Sequence, residues 1–278
     1  MSKSLIVTGI PRSGTTLVCN LISQMHNAYC LSEPMEIDEY AHQVTSANVF
    51  LDKVSEFIAQ QRKQIIETGF IRNRVDKNGD LSSNYYSRNC CGSIEDGSLI
   101  SSVKVDVEND NFTLAVKHNA HFLAVLPLVR ALGHYKVIAV IRHPIPTILS
   151  WQSLRLPISY GRLPAAEKMW PAVREISESS LELIVKQVLL YEALITRIIE
   201  CKRNTHIIYY ERLMDNPEKL CVLLNQSYKK KIRLQSQNNN KHYDWTKVAT
   251  LKEVLNAYAP NAMSVYPSLD ETGLIAEI

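Results

Sequence analysis

The fold of this chain is decided by one stretch near its N-terminus, Ser4-Leu5-Ile6-Val7-Thr8-Gly9-Ile10-Pro11-Arg12-Ser13-Gly14-Thr15-Thr16-Leu17. Its apolar first part is typical of a buried strand. A tight turn follows, with Gly9 at its start and Gly14 at its end, and the residues after it have the apolar spacing of a helix. Such a turn directs backbone N–H groups and the positive end of the helix dipole at an anion. The stretch therefore predicts a strand, an anion-binding loop and a helix, with anion contacts from Arg12, Ser13, Gly14, Thr15 and Thr16. The alternative is an ordinary turn with a polar N-cap.

The loop departs from that of ATPases and nucleotide kinases at one position. The spacing from Gly9 to Gly14 fits the phosphate-binding pattern G-x-x-x-x-G-K-[ST], but Thr15 stands where that pattern has lysine. A metal-dependent kinase also needs an acidic magnesium ligand after a strand, where this chain has Arg142-His143-Pro144. The kinase interpretation is therefore weak, and the cation of the loop is Arg12.

A second anion site is predicted after the run Tyr135-Lys136-Val137-Ile138-Ala139-Val140-Ile141. This β-rich run ends in Arg142, and the helix expected next carries Ser150. An arginine at the end of a parallel strand and a serine two turns into the next helix can converge on one anion. A surface ion pair of Arg142 is the alternative.

Together these motifs resemble those of the sulfotransferases that use 3′-phosphoadenosine 5′-phosphosulfate (PAPS). Pro11–Leu17 resembles their 5′-phosphosulfate loop, and Arg12 makes it most similar to tyrosylprotein sulfotransferases and the broad bacterial sulfotransferase family. Arg142 and Ser150 resemble their 3′-phosphate site. The resemblance implies in-line transfer of a sulfuryl group from PAPS to an acceptor hydroxyl, or as second choice an amine, without a metal. Arg12 then stabilises the bridging oxygen.

Glu33 is the candidate base. It follows the short strand predicted after the first helix, where a carboxylate can face an acceptor hydroxyl and take its proton. The resemblance to tyrosylprotein sulfotransferases implies that catalytic role. The alternative is that Glu33 only orients Arg12.

Lys117 and His121 complete the predicted catalytic set. The strand 112–117 ends in Lys117, and the stretch resembles the Lys-x-x-x-His segment of bacterial sulfotransferases, which selects His121 over His118. A shift of one residue would reverse that choice. Lys117 is expected to stabilise the transferring group, and His121 to substitute for or assist Glu33. A structural cap is the alternative for His121.

The C-terminal third offers nucleotide contacts. His206–Glu218 looks like the Tyr-Glu-x-Leu…Pro-Glu segment of the family, which implies that Tyr210 contacts the adenine or ribose while Glu211 is structural. The likeness fades after about residue 226, and the polar run 235–240 is predicted to be a solvated loop. Lys247 is expected to close over the nucleotide, although the Arg-Lys-Gly form of cytosolic sulfotransferases is absent.

Charge and composition limit the partners. The chain has 31 basic and 28 acidic residues and a net charge of +3, which favours neither nucleic acid nor an anionic membrane as partner. No apolar stretch has membrane-spanning length, and a first strand at about Ser4 leaves no room for a signal peptide, so we expect a cytoplasmic protein. The six cysteines are interpreted as reduced thiols, with a redox-active Cys90-Cys91 as the alternative.

The order of elements predicts one α/β domain over 1–278. Apolar strands at 4–9, 28–32, 112–117, 135–141 and 205–210 alternate with helices, which implies three layers, α/β/α, around a mostly parallel sheet of the P-loop sulfotransferase type. Helices are expected at 14–26, 44–67, 121–132, 145–154, 177–202, 216–226 and 248–258.

Two insertions are expected to recognise the acceptor. One is the β-leaning, turn-rich segment 68–110, and the other is the irregular loop 155–175. The acceptor itself, whether small molecule, carbohydrate, lipid or peptide, is left open, as is the oligomeric state. A non-catalytic nucleotide-binding protein on the same fold is the remaining alternative.

Overall fold

The computed structural model describes residues 3–88, 94–270 and 275–276. The strands are β1 (Lys3–Gly9), β2 (Ala28–Ser32), β3 (Phe70–Val75), β4 (Tyr86–Arg88), β5 (Ile94–Asp96), β6 (Leu99–Lys104), β7 (Thr113–Lys117), β8 (Lys136–Ile141) and β9 (Thr205–Tyr209). Within the described residues the central sheet has five parallel strands in the order β2-β7-β1-β8-β9.

The helices begin with α1 (Thr15–Ser23), α2 (Met35–Gln43), α3 (Ala47–Thr68), α4 (Ala120–Ala124), α5 (Leu126–Leu132), α6 (Pro144–Gln152) and α7 (Pro164–Glu167). They continue with α8 (Pro171–Glu178), α9 (Leu183–Glu200), α10 (Tyr210–Asp215), α11 (Glu218–Leu224), α12 (Val248–Tyr258) and α13 (Pro260–Val265). Short 3₁₀ helices cover Pro157–Tyr160, Lys202–Asn204 and Trp245–Lys247. No helix in the described ranges is both long and apolar enough to cross a membrane.

Both faces of the sheet are covered, which confirms the three-layer prediction. Leu5 and Val7 of β1 pack in one cluster with Val18 of α1, whereas Ile6 packs in the other with Phe50 of α3. Alternate residues of a strand point to opposite faces, so a strand covered on both faces must be apolar throughout. This requirement explains the unbroken apolar runs from which the strands were predicted.

The crevice at the carboxyl ends of the strands follows from the strand order. β1 lies between β7 and β8, so the chain leaves β1 to one side through α1 and reaches the other side only at β8. Ligands of open α/β sheets bind at such a switch point. The loops after β1, β2, β7 and β8, which carry most of the predicted site residues, open onto this edge.

The segment 68–110 is β-rich, as predicted. β3 pairs with β6 and β4 with β5, both antiparallel. Asn73 of β3 is buried at the outer edge of β2, where it accepts the Ser32 N–H at 3.0 Å and donates to the Cys30 carbonyl at 2.9 Å. This side chain satisfies an edge that a sixth strand would otherwise pair.

The expectation of an irregular loop at 155–175 is wrong. A 3₁₀ helix, α7 and the start of α8 occupy it, each with a proline in its first turn. Proline suits the first helical position because its missing N–H would be unpaired there anyway. The prolines that suggested irregular structure thus begin short helices.

Several helix boundaries also differ from the prediction. α2 begins two residues after Glu33, in a segment for which no helix was predicted, and α13 was likewise not predicted. The helix expected at 121–132 is broken into α4 and α5 because Pro127 has no N–H to continue the ladder.

Candidate active site

The loop after β1 has the tight geometry that the sequence predicted. The φ angles of Gly9 and Gly14 are +152° and +97°, and a Cβ on Gly14 would lie 2.8 Å from the Tyr210 ring. Ser13 Oγ donates to the Val140 carbonyl at 2.8 Å, so its hydroxyl anchors the loop to β8. The first turn of α1 receives no side-chain cap from Gly14, which leaves its N–H groups available to an anion.

Arg12 joins the two predicted anion sites. Its φ is +70°, a left-handed conformation that costs a non-glycine residue about 1–3 kcal/mol and is typical of functional sites. Its guanidinium donates to Ser150 Oγ at 3.2 Å and to Asn84 Oδ1 at 3.1 Å. The structure therefore brings Arg12 of the first motif into direct contact with Ser150 of the second.

Arg142 lies beside this pair and is buried. It donates to the Arg12 carbonyl at 3.1 Å, to the Gln237 carbonyl at 2.8 Å and to Asn238 Oδ1 at 2.8 Å. Its guanidinium lies over the Tyr210 ring at 4.6 Å from the centroid. A surface ion pair of Arg142 is thus not what the structure shows.

Asn238 is a site residue that sequence reasoning missed. The run 235–240 was predicted to be a solvated loop, yet Asn238 is only 4% exposed. Its Nδ2 donates at 3.0 Å to Glu211 Oε1, which also accepts the His143 N–H at 3.0 Å. Burial raises the pKa of Glu211 above its ordinary value. An asparagine within a polar run carries no pattern from which this role could have been predicted.

Lys117 and Glu33 form an ion pair at the edge of the loop. Lys117 is 1% exposed, and its Nζ lies 2.5 Å from Glu33 Oε1 and 3.3 Å from Thr16 Oγ1. Burial is the largest influence and acts to raise the pKa of Glu33, but the charge and hydrogen bond of Lys117 together with the charges of His118 and Arg74 hold the pKa below its ordinary value. Glu33 is therefore an ionised carboxylate, and its side chain is 25% exposed.

The carboxylate of Glu33 contacts Lys117, whereas Arg12 is held by Ser150 and Asn84. The alternative in which Glu33 serves only to orient Arg12 thus has no hydrogen bond to support it. Glu33 also has a positive φ, +49°, so strained backbone occurs at both ends of the site.

A cluster of two histidines and an aspartate lies behind this pair. His118 Nε2 and His121 Nε2 lie 3.1 Å and 2.9 Å from the same atom, Asp38 Oδ1. His118 Nδ1 accepts the His121 backbone N–H at 3.3 Å, so its ring proton is on Nε2. Burial lowers the pKa of His121. The hydrogen bonds to both rings hold the pKa of Asp38 well below its ordinary value although burial opposes them.

These three residues also offer metal ligands, because their ligand atoms lie within 4.8 Å of one another. A metal bound to His118 Nε2 would move the ring proton to Nδ1, where it would face the His121 N–H. The contacts therefore fit a hydrogen-bonded cluster better than a metal site.

A cavity of about 730 Å³ connects these groups. The predicted residues that line it are Arg12, Gly14, Thr15, Thr16, Glu33, Lys117, Arg142 and Tyr210. Ser13, Ser150 and His121 are buried next to lining residues, whereas His118 lines the cavity itself.

Lys247 is not brought to the cavity. It pairs with Asp244 at 3.2 Å on the surface, while Gln237, Asn240 and Tyr243 from the preceding segment line the cavity instead. Cys90 and Cys91 lie outside the described residues. The four described cysteines, Cys19, Cys30, Cys201 and Cys221, are free thiols and buried.

Comparison with known proteins gives two findings. The model of the sulfotransferase family matches residues 4–221. Among solved structures, the chain is similar to the crystal structure of sulfotransferase STF9 from Mycobacterium avium, with 13% sequence identity over 98% of this chain and 73% of that chain and a TM-score of 0.34. No curated protein matches the chain.

Proposed function

The chain belongs to the sulfotransferase family, and on that premise we propose that it transfers a sulfuryl group from PAPS to an acceptor hydroxyl. The observation that carries the proposal is the Lys117–Glu33 ion pair beside Thr16 of the loop, in the same cavity as Arg142. It provides a carboxylate for the acceptor and cations for the donor at one place.

Three features at the loop end of the cavity support the binding of an adenosine bisphosphate group there. The absence of a side chain at Gly14 lets the Tyr210 ring pack directly against the loop, where a Cβ would lie 2.8 Å from the ring. The N-terminus of α1 has no side-chain cap, so its N–H groups can bind an anion. Arg142 supplies the cationic site for a 3′-phosphate. It donates to the Arg12 carbonyl, and the Arg12 side chain in turn donates to Ser150. Tyr210 offers its ring to the adenine or ribose.

Bound PAPS supplies the activated sulfuryl group. The acceptor oxygen forms its bond to sulfur as the bond from sulfur to the bridging phosphate oxygen breaks. Glu33 takes the acceptor's proton, and Lys117 with the loop N–H groups stabilises the charge left on the bridging oxygen. The products are the sulfate ester and adenosine 3′,5′-bisphosphate, so the transfer balances without a redox partner.

The hydrogen bonds of the histidine cluster favour Glu33 as base. A neutral histidine has one nitrogen lone pair, and in His118 the His121 N–H occupies it. His121 does not line the cavity, and its Nε2 hydrogen bonds to Asp38. The lone pair of His121 is then on Nδ1, which has no hydrogen-bond partner but is buried in a residue that does not line the cavity. Neither ring therefore offers a lone pair to an acceptor in the cavity, whereas Glu33 lines it. His121 then assists by holding Asp38 and His118 in place.

The test is donor recognition together with turnover. Calorimetry should give adenosine 3′,5′-bisphosphate a Kd about 10- to 100-fold lower than that of ADP, since a lost charge-assisted contact costs about 1.5–3 kcal/mol. Radiolabelled PAPS with a broad acceptor panel should yield a sulfated product. Equal affinities, or the absence of product with every acceptor, would remove the proposal.

A further inference from the structure

We propose that the acceptor is an uncharged alcohol or phenol whose hydroxyl is carried on an apolar body. This inference rests on the proposed function and names the substrate class of the same site. It follows from the walls of the cavity beyond Glu33 and Lys117.

The wall at this end comes from the segment that contains the 3₁₀ helix and α7. Six of its seven lining residues are apolar, namely Leu156, Pro157, Ile158, Leu163, Pro164 and Ala165, and the seventh, Arg162, is paired with Glu167. α7 packs against α4, which follows Lys117 in the chain, so the wall stands next to the ion pair. Ala120 of α4 lines the cavity at the same end. Arg142, Tyr210 and Tyr243 line it at the loop end.

An apolar wall selects between acceptors by desolvation. The transfer of a hydrocarbon or aryl body from water to this surface lowers the free energy of the system. A sugar would lose hydrogen bonds from several hydroxyls to water, and these apolar side chains offer no replacement. The wall therefore favours an acceptor with one hydroxyl at Glu33 and no others along 156–165.

The charged groups that the described residues place near this end are already paired. Lys117 is bound to Glu33, and Arg162 makes two hydrogen bonds to the carboxylate of Glu167, at 3.0 Å and 2.6 Å. Asp38 holds His118 and His121. A charged acceptor would have to break one of these pairs, so an uncharged one fits better.

The wall is held in place by polar contacts, two of them buried. Glu167 Oε1 accepts the Leu163 N–H at 2.7 Å, and Gln187 of α9 donates to the Ser159 carbonyl at 3.0 Å. Lys168 donates to the carbonyls of Ala41 and His42 on α2, at 2.7 Å and 2.9 Å. A wall fixed to two helices is organised before the acceptor arrives, which favours selectivity.

The experiment compares kcat/KM for matched acceptors with PAPS as donor. 2-Naphthol and 1-octanol are the apolar phenol and alcohol, and glucose and tyrosine are the polyhydroxyl and charged counterparts. We expect at least one apolar acceptor to exceed both counterparts by about 100-fold or more, the scale on which buried polar groups without partners are rejected. Equal or better turnover of glucose or tyrosine would overturn the inference.

Two variants assign the preference to the wall. Ile158→Thr adds a hydroxyl to it, and Ala165→Asp adds a charge at a half-buried position. Both should lower kcat/KM for the preferred apolar acceptor by about tenfold or more. The Kd of adenosine 3′,5′-bisphosphate should stay unchanged, which also shows that the variants fold. Ile100→Thr, the same substitution at an exposed position of β6, is the control and should behave as wild type.

The outcomes separate the inference from the proposed function. If sulfated products form but neither wall variant changes apolar turnover, only the acceptor class is wrong. If adenosine 3′,5′-bisphosphate does not bind and no acceptor is sulfated, the proposed function fails and takes this inference with it.

Discussion

Replacing Glu33 by glutamine tests whether its carboxylate takes the acceptor's proton. Glutamine keeps the size of the side chain and an oxygen to accept the hydrogen bond of Lys117, which is 2.5 Å away in the wild type. It has no basicity, so the acceptor hydroxyl loses its proton acceptor. Because general-base catalysis contributes about 10²–10⁴-fold, turnover should fall by about that factor.

The same substitution should leave donor affinity nearly unchanged. Arg12 is held by Ser150 at 3.2 Å and by Asn84 at 3.1 Å, and neither contact involves Glu33. We expect the Kd of adenosine 3′,5′-bisphosphate to change by less than about threefold, or about 0.6 kcal/mol. A fall in rate without a fall in affinity distinguishes a base from a residue that orients the donor site.

The assay measures the Kd by calorimetry and the single-turnover rate with labelled PAPS. Glu39→Gln, at an exposed position of α2, is the matched control and should react at the wild-type rate. His121→Ala should do less harm than Glu33→Gln. A near-normal rate in Glu33→Gln together with an inactive His121→Ala would refute the reasoning and move the base to His121. A joint loss of affinity and rate in Glu33→Gln would show an orienting role.

Three more predictions concern the donor site, metal and pH. Arg142→Lys replaces the planar guanidinium, which can donate two hydrogen bonds to one phosphate, by a single ammonium group. The preference for adenosine 3′,5′-bisphosphate over AMP, measured by calorimetry, should therefore drop about 10- to 100-fold, and Arg174→Lys at an exposed position is the control. Saturating EDTA should leave turnover unchanged, and a collapse that magnesium restores would revive the kinase interpretation. His143 is fully buried, and burial lowers its pKa from 6.5 to about 4. As pH falls from 6.5 towards 4, the unfolded chain binds a proton that the folded chain excludes, so the free energy of unfolding should fall by up to about 3 kcal/mol. Urea unfolding should show this extra pH slope in wild type and not in His143→Gln.

Local patterns allowed most of the sheet to be predicted. The strands β1, β2, β7 and β8 are almost wholly buried and therefore apolar, and the glycine-bounded loop predicted to bind an anion identifies β1 as the strand at the switch point. The segment 155–175 was wrongly predicted to be irregular because proline, which breaks the interior of a helix, is also favoured at the first position of one. α2 was not predicted, although Glu36 and Asp38 are acidic residues of the kind favoured in the first turn of a helix.

Contacts between distant segments were beyond reach of the sequence. Lys117 and Glu33 were each placed at a strand end, but they are 84 residues apart, and nothing local shows that β2 and β7 are neighbours. Asn238 reaches Arg142 across 96 residues from a polar run. Such pairings depend on strand order and loop closure, which residue patterns within one segment do not encode.

The strand register explains how the proposed acid–base step is built. Ser32 of β2 is level with Lys117 of β7, and the Glu33 N–H continues the ladder to the Lys117 carbonyl at 2.9 Å. An ammonium that is 1% exposed needs a counter-charge, and Glu33 supplies it before reaction. When Glu33 takes the proton in the proposed step, its charge is neutralised, and Lys117 is left without an ion-pair partner in a buried site. In the proposed transfer, the charge developing on the bridging oxygen would take the place of the Glu33 charge, and Lys117 would then stabilise the transition state more than the bound substrates.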